Sequence, residues 1–173
     1  MKWPAKTLWH LLGLAKRTPP APPTQISKAK PQESKKTPMR LRYDELVIEM
    51  KQTYGLRIRK WRSSSSGCAW IVRYADGGEA KLIESPYPKG PMSCAIFLHE
   101  VGHHAIGFGT YSPRCLEEYY AWKWSLDKMR EKGLNVTEAV EKRMADSLKY
   151  AIEKAQRRGL KNLPPQLQPF IKA

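Results

Sequence analysis

The chain has 173 residues, room for one compact domain and a tail, and its 41% hydrophobic content with six tryptophans and eight tyrosines excludes global disorder. No run reaches the roughly 18–20 apolar residues of a transmembrane helix. Cys68, Cys94 and Cys115 form no CxxC pair, which argues against a disulfide framework or a cysteine zinc knuckle and suits a reducing, cytoplasmic setting. The formal charge of +15 favours nucleic acid, an anionic membrane or acidic partners, with plain solubility as the bland alternative.

About half of that excess lies in residues 1–40, where nine basic residues face the single acid Glu33. Within this arm, WPAKTLWHLLGLAKR superficially resembles a signal peptide. Its apolar run is short, contains His10 and ends in Lys16-Arg17, so a short amphipathic docking helix with Leu8, Leu11, Leu12 and Ala15 on one face fits better. Residues 18–38 are rich in Pro, Lys, Ser and Thr and read as a linker. The expected organisation is a basic, Pro-rich arm over 1–38, a globular domain over 39–160 and a proline-broken tail over 161–173 that docks across the domain.

The domain reads as α, then β, then α. Residues 39–54 place Leu41, Leu46, Met50 and Tyr54 roughly on one helical face, and Gly55 follows as a stop. LRIRKWR (56–62) alternates like a half-exposed strand, and SSSSG is a flexible turn. CAWIVRYAD (68–76) and EAKLIES (79–85) flank Gly77-Gly78, a hairpin signal. Helices are expected over about 92–107, 114–132 and 136–158, with Gly133 and Gly159 as C-caps. The fold class is α+β: an N-terminal helix, a three-stranded antiparallel sheet, a motif helix and two further helices.

The motif is LHEVGHHAIGF at 98–108, which holds three of the four histidines. On a helix, residues four apart share a face, so His99 and His103 can present two imidazoles to one ion, with Glu100 beside them as a general base. Gly102 hints at close packing, because glycine costs about 1 kcal/mol in a helix interior. A hydrolytic zinc site needs a third protein ligand and an open position. Ile106 and Gly109 stand where a metzincin carries its glycine and third histidine, which excludes that class. The adjacent Glu117 and Glu118 on the next helix point about 100° apart, so one of them faces the ion. Glu118 is favoured, because the small Ala121 that follows it lets the two helices approach.

The run AKLIESPYPKGPMSCAIFLHEVGHHAIGF, followed by EEYYAWKWS, resembles the ImmA/IrrE-type zinc metallopeptidases over about residues 40–130. In that family a strand, a proline-bearing loop and an HExxH helix precede a helix with an ExxA-like motif. The Trp-Lys-Trp after ExxA departs from the family's usual continuation. The resemblance implies a zincin-like fold with one Zn2+ per chain, His99, His103 and Glu118 as ligands and Glu100 as base. It also implies hydrolysis of a peptide bond in a protein partner, such as a regulator. ArdC-type antirestriction proteins are similar in pairing HExxH with an EExxA-like helix, and they bind single-stranded DNA. The alternative is therefore a basic nucleic-acid-binding protein with a structural or vestigial zinc site.

For the peptidase chemistry, His104, Tyr111 and Tyr119 are candidate oxyanion donors. Tyr119, Tyr120, Trp122 and Trp124 form an aromatic cluster that either stacks on a ligand or, as is commoner at helical spacing, belongs to the core. Arg157, Arg158 and Lys161 either touch phosphates or simply complement a helix C-terminus.

Overall fold

A computed structural model describes residues 37–171. The proposed amphipathic helix and residues 18–36 of the proposed linker lie outside this range, whereas its last two residues, Thr37 and Pro38, belong to the start of the first helix. The first helix, α1 (Pro38–Tyr54), starts with Pro38 at its first turn and Thr37 as N-cap, the Thr37 side chain accepting from the Arg40 N–H at 3.4 Å. Its buried stripe is Tyr43, Leu46, Val47 and Met50, at the i, i+3, i+4, i+7 spacing of an amphipathic helix. Leu41, expected on that face, is 47% exposed because the stripe is centred on Tyr43 and Val47.

Three strands follow: β1 (Leu56–Arg62), β2 (Cys68–Arg73) and β3 (Glu79–Pro86). β2 and β3 form the expected hairpin around Gly77-Gly78, with Gly77 at φ 84° and the Tyr74 N–H donating to the Gly78 carbonyl at 2.8 Å. The sheet is mixed rather than antiparallel, with order β1-β3-β2 and β1 parallel to β3. The physical reason lies in composition. β1 carries Arg57, Arg59, Lys60 and Arg62 and suits a solvated edge, whereas β3 supplies Ile83 and the buried Glu84 and suits the centre. Arg59 and Arg62 reach across to the Glu84 carboxylate, fastening this edge to the centre. The SSSSG segment therefore carries the chain past the end of β3 instead of folding β1 back on β2.

Helix α2 (Pro91–Ile106) is the centre of the molecule, with every residue from Cys94 to His104 buried. Its start is fixed by Pro91 and by Ser93 Oγ, which accepts from the Lys89 and Gly90 N–H groups at 2.8 and 3.1 Å. One side packs on β3; the other packs on α3 (Arg114–Glu131). The contact with α3 is close, since a Cβ on Gly102 would sit 2.7 Å from the Ala121 carbonyl oxygen. Ser125 Oγ donates to the Ala95 carbonyl at 2.8 Å and locks the same helix pair. The last long helix, α4 (Glu138–Arg157), buries Val140, Leu148 and Ile152, and a short 3-10 turn at Pro165–Phe170 packs on α3 and α4 with Leu167 fully buried. No helix among the described residues is long and apolar enough to cross a membrane.

Candidate metal centre

His99 and His103 project from the same face of α2, and Glu118 meets them from the first turn and a half of α3. Glu118 Oε2 lies 3.3 Å from His99 Nε2 and 3.5 Å from His103 Nε2. Donors bound to zinc at about 2.0–2.1 Å in tetrahedral geometry stand about 3.3–3.4 Å apart, so the Glu118 oxygen stands from each ring nitrogen at about the separation of two tetrahedral ligands. One ligand atom from each residue lies within 4.8 Å of the others. The donor set of two imidazoles and one carboxylate is one that zinc accepts with a fourth position open. The residues fit the ion.

Aromatic walls hold the imidazoles. His99 stacks on Trp122 at 4.4 Å between ring centroids and 22° between planes, and His103 stacks on Phe108 at 5.7 Å and 12°. Trp122 is 3% exposed, so it belongs to the core and also orients His99. Behind the pair, His103 Nδ1 lies 3.3 Å from Glu117 Oε1, both atoms being buried and without an aligned hydrogen bond. Glu117 is itself fixed by the Gly109 N–H, which donates to its Oε2 at 2.8 Å. The two adjacent acids thus take different positions: Glu118 faces both Nε2 atoms, and Glu117 faces the back of His103. Arg114, one turn earlier, is 3.1 Å from a carboxylate oxygen of each.

Charge follows burial and contact. Burial pushes the His99 imidazole down to about 4, leaving it neutral and able to bind a cation at physiological pH. Burial also opposes ionisation of Glu118, but hydrogen bonding from His103 and His99 outweighs it and holds the carboxyl well below its ordinary range. For His103 burial again acts against the charged form, and the Glu118 carboxylate reverses the sign and raises it.

Glu100 lines the same cleft without joining the ligand set, and burial pushes its carboxyl up to about 7. Gly67, from the SSSSG segment, lies directly on it. A Cβ there would stand 2.6 Å from Glu100 Cδ and overlap the carboxylate. In sequence the segment is a flexible turn, and the run of serines gives no local sign that its glycine approaches a carboxylate far along the chain.

The three candidate oxyanion donors are elsewhere. His104 Nε2 is 3.1 Å from the Leu82 carbonyl and ties α2 to β3. Tyr111 stacks on Tyr120 at 4.0 Å, and Tyr119 meets Tyr120 and Phe170 edge-on. None of the three lines the cleft, which has a volume of about 1040 Å³. Its walls come from the start of β2, from α2 and α3, and from one face of α4 that includes Arg143 and Lys154, with Arg158 at its C-cap. Arg158 is a candidate from sequence, whereas Arg143 and Lys154 carry no such signal, since only the packing of α4 shows which of its many cations turn inward.

No family model matches this chain, and no curated protein or solved structure is significantly similar to it.

Proposed function

We propose that the protein is a zinc-dependent metallopeptidase of the ImmA/IrrE type, hydrolysing a peptide bond in a protein partner. The observation that carries this reading is the separation of Glu118 Oε2 from the two Nε2 atoms, 3.3 and 3.5 Å, with Glu100 beside them in the same cleft. His99, His103 and Glu118 would hold the ion. Bound there, zinc supplies a Lewis acid that polarises a scissile carbonyl and acidifies an attacking water.

The chain's own residues supply the rest. Glu100 takes the proton of the attacking water and returns it to the leaving amine. A carboxyl raised by burial can exist in both forms near neutral pH, and a neighbouring cation favours its ionised, proton-accepting form. Gly67 leaves room for that carboxylate and shields one side of it from water. Strand β2 begins at the cleft and pairs only with β3 among the described residues, so its outer edge offers backbone N–H and C=O groups to an extended peptide.

The test is Glu100→Gln on the full chain, assayed with an unstructured protein such as casein and with a peptide library. Zinc content should stay the same while turnover falls by at least about 10³-fold. Undiminished turnover in Glu100→Gln, or no turnover by the zinc-loaded wild type on any member of the library, contradicts the reading. The alternative, a nucleic-acid-binding protein with a structural zinc site, draws on the charge of +15 and on the exposed Arg57 and Lys60 of β1. It predicts a steep fall of DNA affinity with salt and indifference to Glu100→Gln.

A further inference from the structure

The cations of α3 and those of the α4 wall of the cleft differ in how they are paired. Those on the outer face of α3 are neutralised locally: Lys123 by Asp127 at 2.6 Å, Lys128 by Glu131 at 2.6 Å, and Arg130 by Asp127 and Glu141 at 3.3 and 3.4 Å. Arg143, Lys154 and Arg158, which line the cleft, have no carboxylate within ion-pair distance among the described residues. Arg143 donates to the Ser65 carbonyl at 3.1 Å, and its Nε is buried with no hydrogen-bond partner. Lys154 has only the Tyr150 ring, at 6.0 Å. At 100° per residue the three positions fall within about 60° of one another, and they span about 22 Å of the helix.

The attraction of a helix C-terminus for cations accounts for Lys154 and Arg158, but not for Arg143 in the first half of α4. Arg143 also fixes the orientation of the wall. Its partner Ser65 lies two residues before Gly67, which covers Glu100, so the Arg143 end of α4 is the end near the proposed scissile position. Lys154 is then about 16 Å further along, the span of about five residues of extended peptide.

We propose that this face of α4 is a specificity wall that recognises acidic side chains of a peptide laid along the cleft, flanking the cleaved bond by about five residues. The proposal rests on the peptidase reading and names its substrate class. A peptide is favoured over nucleic acid because Glu100, Glu118 and Asp146 share the cleft with the cations and would repel a continuous phosphate backbone, while the open edge of β2 matches a peptide main chain.

The test measures binding by the full-length Glu100→Gln protein, zinc-loaded and zinc-free, of fluorescein-labelled peptides of about twelve residues whose flanks carry Glu, Gln or Lys around one common centre. Glu-flanked peptide should bind about ten-fold more tightly than Gln-flanked peptide, and the difference should shrink as salt rises past about 0.2 M. The double substitution Lys154→Glu, Arg158→Glu, at exposed positions, should reverse the order in favour of Lys flanks while the protein stays folded, with a melting temperature lowered by only a few degrees from the two anions at the helix C-terminus. Equal affinity for Glu and Gln flanks, or a preference unmoved by the double substitution, overturns the proposal. So does a single-stranded oligonucleotide that outcompetes the Glu-flanked peptide and is itself weakened by the double substitution. Because binding is read without turnover, acidic-peptide recognition by a protein whose wild type cleaves nothing would refute hydrolysis and leave the specificity wall standing.

Discussion

Gly102 on α2 lies against the main chain of Ala121 on α3, so closely that a Cβ on the glycine would stand 2.7 Å from the Ala121 carbonyl oxygen and 3.3 Å from its Cα. Gly102 is flanked on α2 by the ligand positions, and Ala121 lies one turn after Glu118. The approach of the two backbones is therefore what brings a carboxylate of α3 to two imidazoles of α2. A single methyl group tests this. Gly102→Ala gains about 1 kcal/mol of helix propensity but forces two backbones apart at a typical overpacking cost of about 1–3 kcal/mol. A net loss of up to about 2 kcal/mol in urea denaturation is expected, together with at least ten-fold weaker zinc binding in a chelator competition, on the order of an outer-shell defect.

Glu117 and Glu118 should separate in the same titration. Glu118→Gln removes the proposed ligand and should abolish tight zinc binding. Glu117→Gln keeps an amide oxygen able to accept the Gly109 N–H and removes only the charge behind His103, so zinc should weaken by about 10–100-fold without being lost. Equal effects of the two substitutions would show that the two acids do not have distinct positions in solution.

Gly67 should be intolerant of any side chain. In Gly67→Ala the new methyl must displace either the Glu100 carboxylate or the 63–67 segment. The expected outcome is near-normal zinc content with turnover reduced by at least about ten-fold, the magnitude of a misplaced base. Gly67→Ala with normal turnover would mean that the loop moves aside freely.

Glu84 gives the sheet a pH dependence. Hydrogen bonds from Arg59, then from Arg62, hold its carboxyl below the ordinary 4.5. The folded state thus binds the proton less readily than the unfolded chain, so the contribution of this cluster is full above about pH 4.5 and is lost as the pH falls through the lowered value. Wild type and Glu84→Gln should differ in denaturation midpoint at neutral pH and converge as the pH is taken from about 5 to about 3. A constant difference across that range would contradict the linkage.

Much of this architecture is legible in the residues. The HExxH spacing, the smallness of Gly102 and Ala121 and the Gly77-Gly78 turn are local signals, each tied to a backbone requirement within a few positions. The topology of the sheet is different. Whether β1 pairs with β2 or β3 depends on where its four cations find water and on Glu84, some 25 residues away in sequence from Arg59. The same holds for Gly67 and Arg143: a glycine after four serines and an arginine on a highly charged helix acquire meaning only when packing brings them to Glu100 and Ser65. His104, adjacent to a ligand in sequence, faces the Leu82 carbonyl because successive helical residues point about 100° apart.

Zinc per chain, measured by elemental analysis on the wild-type protein and on His99→Ala, Glu118→Ala and Glu100→Gln, decides whether these side chains form a metal centre. About one zinc should be found in wild type and in Glu100→Gln, and it should be lost or greatly reduced in the other two. A wild-type protein that takes up no zinc without ever meeting a chelator, or zinc undiminished in His99→Ala and Glu118→Ala, would contradict the assignment of this site as a metal centre.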